Sequence, residues 1–317
     1  MVSPTEDTDK RQVEDPAAPP VVDVHGTPVV TEYLRALRPH QWVKNALVLV
    51  APVAAHAVDP VSYLWAAGAF VVMSLVASAG YVLNDIVDVD HDREHPSKRQ
   101  RPLAAGKVRV VPMAAVGSTL AAVGVAASFL MSVGMGACVV LYLVLAVAYS
   151  LRLKRAIIID VIVLASLYVI RVVAGGVAVA IPVSPWLLAF SLFTFVSLAI
   201  VKRRTELANV AEGRQEAVLG RGYIAKDASV VTMLGAASTI GGVIVLALYV
   251  QSPEVAMRYD RPELLRLVCP VLLYWLGRLL LLANRGAVDD DPVMFAVRDR
   301  TSWLAGLLAV AIVAVAI

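Results

Sequence analysis

Cysteine and histidine are scarce in this chain of 317 residues, which contains two cysteines and five histidines. Cys138 and Cys269 each lie in an apolar run with no metal-ligating neighbour, so the sequence supports neither a disulfide framework nor a zinc site. The histidines show no metal-ligand spacing, and no serine or cysteine stands in a nucleophile arrangement. A reaction whose attacking group is already an anion would need none of these.

Charged residues are also few, at 17% of the chain, whereas hydrophobic residues make up 59% and the mean hydropathy is +0.74. A soluble domain has roughly 25% charged and about 45 to 50% apolar residues. The composition therefore indicates a polytopic membrane protein, and its long apolar runs indicate an all-α fold. We expect the lipid bilayer as its surroundings and no nucleic-acid partner, and a homo-oligomer is compatible with the sequence.

Residues 1–30 lack the basic start and apolar core of a secretory signal and are instead polar and rich in Pro, Asp and Glu. This composition predicts a disordered cytosolic tail. Residues 31–317 contain no soluble segment long enough to fold separately. They are expected to form one membrane domain whose active surface comes from loops and helix ends.

Apolar runs of about 17 to 25 residues divide this domain into nine candidate transmembrane helices. The candidates are Trp42–Val58, Ser62–Asp88, Val110–Val133, Gly136–Leu151, Ile157–Ile181, Pro185–Val201, Ala228–Val250, Leu264–Ala283 and Ser302–Ile317. Lys and Arg are concentrated in the N-terminal arm and after the even-numbered candidates, with an exception at Arg258, Arg261 and Arg266. By the positive-inside rule we expect a cytosolic N-terminus and a C-terminus outside.

The segment from Asn84 to Gly106 crowds acids and then bases directly behind an apolar run. Asp85, Asp88 and Asp92 are spaced by three and four residues, which places their carboxylates on one face of a helix. Together with Asn84 they can hold one or two Mg²⁺ ions and, through them, a diphosphate. The alternative is a solvated helix end whose acids pair with nearby arginines.

Three basic residues, Lys98, Arg99 and Arg101, follow these acids in the same segment. They can hold phosphate oxygens opposite the metal. The alternative is that they only mark the cytosolic side of the membrane.

A second polar cluster, Lys202, Arg203 and Glu206, follows the sixth candidate helix and is basic where a second metal site would be acidic. One interpretation is an ion pair at the membrane interface, contributing about 0.3 to 0.5 kcal/mol. The other is that this cluster faces the same cavity as the aspartates. In that case the substrate carries a metal-bound diphosphate at one end and another anionic group at the other, as a sugar phosphate with a diphosphate does.

Further candidates lie inside or near the apolar runs. Arg171 is in the middle of the fifth candidate helix, where a charge has to face a cavity or a partner. The Gly175–Gly176 pair after it would let a neighbouring helix approach closely. Lys44, Tyr149 and Lys154 are candidates for lining the cytosolic mouth.

These motifs resemble the UbiA superfamily of intramembrane prenyltransferases. The resemblance rests on NDIVDVDHD, RQRPLAAG, RPHQW and YSLRLKR, at residues 84–92, 99–106, 38–42 and 149–155. It covers roughly residues 35–317 and implies an all-α bundle of nine transmembrane helices with a cytosolic loop cap over a central cavity. The second motif of this family is normally Asp-rich, but KRRTEL stands at the matching position here.

RPHQWVKN, DREHPSKRQRPLAAG, YVIRVVAGG and KRRTEL together are similar to one subgroup, the decaprenyl-phosphate phosphoribosyltransferases of the actinobacterial arabinan pathway. This resemblance implies transfer of 5-phosphoribose from 5-phosphoribosyl 1-diphosphate to decaprenyl phosphate, at the plasma membrane, for cell-wall arabinan. Our hypothesis for this reaction is that the three aspartates, with Asn84, hold Mg²⁺ on the diphosphate of the donor. Lys202, Arg203 and Lys44 would then hold the 5-phosphate or the lipid phosphate.

Two other functions compete with this one. A related enzyme of the same fold would move a prenyl group from its diphosphate onto an aromatic or lipid acceptor, and its second cluster should be acidic. A transporter or lipid-binding membrane protein without chemistry would explain Arg171 and the basic loops. It explains the ordered aspartates poorly.

Overall fold

A computed structural model describes residues 29–57, 59–94, 98–211, 221–288 and 291–317, and the predicted tail up to residue 28 lies outside these ranges. Every helix or strand assigned within them is an α-helix or a 3-10 helix, which confirms the all-α prediction. The α-helices are α1 Val29–Leu37, α2 Val50–Ala54, α3 Pro60–Val87, α4 Val89–Glu94, α5 Val110–Met131, α6 Val133–Leu151, α7 Ile159–Ala178, α8 Pro185–Ala211, α9 Ala228–Val250, α10 Pro253–Ala256, α11 Val268–Asn284, α12 Pro292–Arg298 and α13 Arg300–Ala316. The 3-10 helices are Pro39–Leu49, Lys98–Gln100, Leu153–Arg155, Ala225–Asp227 and Pro262–Leu267.

The described ranges contain seven helices long and apolar enough to cross a membrane, namely α3, α5, α6, α7, α8, α9 and α11. The pair α12 and α13 passes the same test together but is bent by 82°, which gives up to eight spans if the pair counts as one. The protein is therefore a multi-pass membrane protein. The predicted count of nine spans is not confirmed among the residues described.

The first candidate span, Trp42–Val58, does not form a long α-helix. Pro39–Leu49 is a 3-10 helix, and only the five residues of α2 follow it as α-helix. The chain then turns at His56, whose φ of 56° is left-handed, and the amides of His56 and Ala57 bond back to carbonyls of α2. Hydropathy alone detects the apolar character of this segment but not its change of helix type.

α7 contributes side chains to two hydrophobic cores of the bundle. Ala165 and Val172 belong to a core that α7 shares with α8, α9 and α11. Ile170 and Ala174 belong to a second core shared with α3, α6 and the 3-10 helix Pro39–Leu49. Two faces of one helix are thus covered by protein, and the polar groups of α7 are enclosed between the two cores.

Large apolar side chains cover the outside of the peripheral helices. On α5, for example, Val111 is 79% exposed and Leu130 is 87% exposed. Apolar exposure on this scale is expected where helices face lipid, because no water is present there to disfavour it.

Gly175 allows the close approach that the sequence predicts. A Cβ atom at this position would lie 1.8 Å from the carbonyl oxygen of Val48 in the 3-10 helix Pro39–Leu49. A Cβ at Gly176 would lie 2.5 Å from the side chain of Val183. The backbone of α7 therefore touches its neighbour directly, and any side chain at Gly175 has to push the two helices apart.

We expect the Gly175→Ala variant to be less stable than the native protein by about 1 to 3 kcal/mol, because the added methyl group overpacks this contact. The measurement is the midpoint of thermal unfolding in detergent. Gly277→Ala is the matched control, since a Cβ at Gly277 in α11 meets nothing within 4 Å. Alanine favours a helix interior by about 1 kcal/mol over glycine. An equal effect of the two substitutions would contradict the close contact.

Candidate functional site

A cavity of about 780 Å³ lies among α3, α6, α7, α8 and the 3-10 helix Pro39–Leu49. Its Lys and Arg side chains outnumber its Asp and Glu side chains, which favours an anionic occupant. The predicted site residues that line it are Lys44, Asn84, Asp85, Asp88, Asp92, Lys98, Arg101, Tyr149, Arg171, Lys202 and Glu206. Three predicted site residues do not line it: Arg99, which is exposed, and Lys154 and Arg203, which are buried.

The three predicted aspartates lie at the end of α3 and in α4. α3 ends at Val87 and Asp88 is its C-cap residue, so the acids do not share one unbroken helix. The amide of Asp88 bonds to the Asn84 carbonyl at 2.9 Å, and the amide of Asp92 bonds to the Asp88 carbonyl at 2.8 Å. These bonds continue the helical turn across the break, which keeps the three carboxylates on the cavity side.

Two arginines face these acids. Arg38 Nη2 lies 2.5 Å from Asp85 Oδ1, and Arg101 Nη1 lies 3.1 Å from the same oxygen. Arg101 Nη1 is also 2.6 Å from Asp92 Oδ2. Asp85 and Asp92 are both buried, so two carboxylates that are shielded from water converge on one cationic nitrogen.

This donor set fits a divalent cation. Within the described ranges, no three His, Cys, Asp or Glu side chains are close enough to enclose a metal ion by themselves. Mg²⁺, however, is usually held by one or two carboxylates and completes its coordination with water and substrate phosphates. Asp85 and Asp92 already share one positive charge, so their oxygens can hold such an ion in place of the guanidinium.

Asp88 and Asn84 are fixed by the end of α6 and the turn after it. Lys154, in the 3-10 helix Leu153–Arg155, forms an ion pair with Asp88, and its side chain is only 4% exposed. Ser150 donates a hydrogen bond to the side-chain oxygen of Asn84 at 3.4 Å. Lys154 was predicted to line the mouth, but it acts on the cavity through Asp88.

The basic cluster on α8 separates into a buried part and a part that faces the cavity. Arg203 is 1% exposed, pairs through Nε with Asp160 at 2.7 Å and forms a second ion pair with Glu206. Tyr223 donates to the other oxygen of Asp160 at 2.7 Å. We therefore assign Arg203 a positioning role in place of the predicted contact with substrate. Lys202 does line the cavity.

Tyr149 joins this cluster to the chain that follows α8. Its hydroxyl oxygen accepts a hydrogen bond from Arg203 Nη2 at 3.2 Å and another from Arg221 Nη1 at 2.5 Å. The Arg221 guanidinium lies 5.5 Å from the centre of the Tyr149 ring, within range of a cation–π interaction. Arg221 lines the cavity, so Tyr149 holds a further positive charge there.

Arg171 lies deep in the cavity wall and is 3% exposed. Its Nε donates to the side-chain oxygen of Asn45 at 2.8 Å, and its Nη2 donates to the Tyr142 hydroxyl at 2.9 Å. The rings of Tyr142 and Tyr168 lie 4.8 and 5.5 Å from the guanidinium. The sequence predicts that this charge faces a cavity or a partner, and the structure places it in the cavity wall with neutral partners.

Lys44 closes another part of the wall by pairing with Asp291, 247 residues away in sequence. Asp291 also caps α12, because its side chain accepts from the amides of Val293 and Met294 at 3.1 and 3.3 Å. Burial would raise the pKa of Asp291, but the ammonium groups of Lys44 and Lys202 outweigh burial and hold that pKa below its usual range. Asp291 is therefore an anion at neutral pH.

Several residues that line the cavity, among them Arg38, Arg221 and Asp291, are not predicted by the sequence patterns. Arg38 is the first residue of the RPHQW motif, and its place in that motif is the sequence feature that could have identified it. Asp291 precedes Pro292, an arrangement typical of a helix N-cap, which gives no hint of its pairing with Lys44. No local sequence pattern predicts the role of Arg221, because it contacts Tyr149, which lies 72 positions away in the sequence.

Several curated proteins are similar to this chain. Protein y4nM of Sinorhizobium fredii is 34% identical over 88% of this chain and 54% of its own length, so the chain spans about half of that relative. Nodulation protein NoeC of Azorhizobium caulinodans is 35% identical over 85% of this chain and 88% of its own length. The decaprenyl-phosphate phosphoribosyltransferase of Mycobacterium tuberculosis is 41% identical over 56% of this chain and 61% of its own length.

Among solved structures, a UbiA homolog from Archaeoglobus fulgidus bound to GPP and Mg²⁺ has the same fold. Its TM-score is 0.66 at 16% identity, and the match covers 89% of this chain and 99% of that one. Residues 46–252 match the UbiA prenyltransferase family. This match covers more than half of the sequence and contains the three aspartates and the cluster on α8. The chain belongs to the UbiA prenyltransferase family.

Proposed function

We propose that this protein transfers 5-phosphoribose from 5-phosphoribosyl 1-diphosphate to decaprenyl or another polyprenyl phosphate. The observation that carries this proposal is the composition of the cavity, which combines three aspartates from the end of α3 and from α4 with Lys202 on α8. A substrate with a metal-bound diphosphate and a second, separate anionic group matches that combination. Further support comes from the relative in M. tuberculosis, whose name describes this reaction.

The aspartates are proposed to hold the diphosphate of the donor. Asp85, Asp88 and Asp92, with Asn84, supply oxygen ligands for Mg²⁺, and bound Mg²⁺ would neutralise the charge that develops on the leaving diphosphate. Arg101 reaches the same carboxylates and can turn its remaining N–H groups to phosphate oxygens. Lys98 lines the cavity beside it.

The lipid phosphate is proposed to attack the anomeric carbon of the ribose. One of its anionic oxygens forms the new bond to that carbon while the bond from carbon to diphosphate breaks, and diphosphate leaves with the electron pair. Because the nucleophile is already ionised, no side chain has to remove a proton from it. Lys202 and Lys44 are placed to bind the remaining phosphate groups, and Glu206 keeps Arg203 in its buried position.

An apolar groove is available for the polyprenyl chain. It has a volume of about 300 Å³ and is lined by side chains such as Leu47, Phe195 and Trp275. Lys44 and Leu198 line both this groove and the main cavity, so the two spaces meet at these residues. A lipid whose chain occupies the groove would present its phosphate near the ammonium group of Lys44.

We place this reaction at the plasma membrane, with the aspartates on the cytosolic side, and connect it with cell-wall arabinan synthesis. The orientation rests on the Lys and Arg residues that follow α3, α6 and α8. The donor is water-soluble and phosphorylated, and the cytosol supplies both such metabolites and Mg²⁺.

The direct test uses purified full-length protein with Mg²⁺, polyprenyl phosphate and radiolabelled 5-phosphoribosyl 1-diphosphate. We expect label to enter the lipid phase, with release of diphosphate. Transfer from a prenyl diphosphate to an aromatic or lipid acceptor, without transfer of the labelled sugar, would favour the related prenyltransferase. Binding without any transfer would favour a non-catalytic membrane protein.

We expect Asp85→Asn and Asp88→Asn to reduce the transfer rate at least 100-fold, because each removes a negative charge that holds the metal-bound diphosphate. The measurement is kcat at saturating Mg²⁺. Asp90→Asn is the matched control, since Asp90 has a side chain that is 83% exposed and pairs with Arg93 outside the cavity. Full activity in both test variants would remove the metal role from these aspartates.

A further inference from the structure

Several cations that line the cavity have a carboxylate partner. Arg38 and Arg101 pair with Asp85, and Lys44 pairs with Asp291. Within each of these pairs, the positive charge is offset by a neighbouring negative charge.

Glu206 lines the cavity from α8 and forms an ion pair with Arg203. Their ion pair is reinforced by Asp160, which binds Arg203 from the other side. Lys202 and Arg221 lie within electrostatic reach of Glu206, but neither forms an ion pair with any residue that the structure describes. Among the described residues, Lys202 and Arg221 thus have no carboxylate partner on this wall of the cavity.

Arg221 is held in place by neutral groups. Its Nη1 donates to the Tyr149 hydroxyl at 2.5 Å and lies 3.5 Å from the carbonyl oxygen of Lys154. Its Nε and Nη2 donate no hydrogen bond within the described part of the chain. A guanidinium carries five N–H donors, so Arg221 keeps a fixed position and still has donors to offer a ligand.

We propose that Arg221 and Lys202, with the Tyr149 hydroxyl fixing Arg221, form a binding subsite for a phosphate monoester. Two positive charges match a phosphate monoester, which carries a charge of about −1.5 to −2 at neutral pH. The planar guanidinium suits two phosphate oxygens at once, and the lysine adds a point charge. This inference rests on the proposed function and deepens it, since it assigns Arg221 and Tyr149 to the second anionic group.

Two substrates of the proposed reaction carry this chemistry. The sugar donor has a phosphate monoester at its 5-position, and the polyprenyl acceptor is itself a phosphate monoester. Ribose 5-phosphate serves as a probe for the sugar phosphate, and farnesyl phosphate serves as a probe for the lipid phosphate.

The experiment measures equilibrium binding of each probe to the full-length protein in detergent, without a transfer reaction. We expect Arg221→Gln to weaken binding of one or both probes by about 10- to 100-fold, as the loss of a charge-assisted hydrogen bond implies. Tyr149→Phe should weaken the same probe by a smaller factor, because the charge remains but is less well positioned. Arg221→Lys should restore part of the affinity.

Lys226→Gln is the matched control, because it removes the same charge from an exposed position in the same connection outside the cavity. It should bind both probes as the native protein does. Ribose and farnesol lack the phosphate and should bind equally to all variants. Loss confined to ribose 5-phosphate identifies the sugar phosphate as the occupant, and loss confined to farnesyl phosphate identifies the lipid.

Unchanged affinity for both probes in Arg221→Gln overturns the subsite. That result leaves the transfer reaction untouched, since the transfer assay on the native protein is a separate measurement. Conversely, a native protein that binds the probes but transfers no label refutes the proposed function and leaves the subsite standing.

Discussion

Charge buried at the ends of apolar helices has to be compensated within the protein, and this constraint shapes the whole cavity. Arg203 illustrates it most clearly, because a guanidinium that is 1% exposed is held between Asp160 and Glu206. Asp160 lies in the first turn of α7, whereas Arg203 and Glu206 lie on α8, so these ion pairs link the two helices. These ion pairs also support the cavity, since Tyr149 bonds to Arg203 and Lys202 is its neighbour in sequence, and both line the cavity.

The positive charges in the cavity wall are held in two ways: some are paired with carboxylates, and others are held by neutral groups. At the end of α3, arginines and aspartates neutralise one another and can exchange partners when a metal ion or phosphate enters. Around Arg171 and Arg221 the partners are amide, hydroxyl and aromatic groups, which orient a guanidinium without cancelling its charge. The region at the end of α3 therefore suits reversible binding of an ion. The region around Arg171 and Arg221 keeps its positive charge.

The sequence predicts those features that depend on local spacing and misses those that depend on distant pairing. Apolar runs identify the helices because lipid requires every backbone group to bond within its own segment. The three-and-four spacing of the aspartates brings them to one cavity despite the break at Asp88. The 3-10 helix Pro39–Leu49 was missed, because apolar character does not distinguish helix types. The partners of Lys44 and Tyr149 follow from packing, which periodicity does not encode.

The position of α7 in two cores also limits how the bundle can move. Transporters of inverted-repeat design work by rocking one half of the protein against the other around a central site. Here α7 contributes side chains to two hydrophobic cores, and its backbone at Gly175 lies directly against the neighbouring 3-10 helix. Rocking of the helices of one core against those of the other would break the contacts of α7 with one of the two cores. A rigid partition of this kind is better suited to holding two reactants in register than to carrying one across the bilayer.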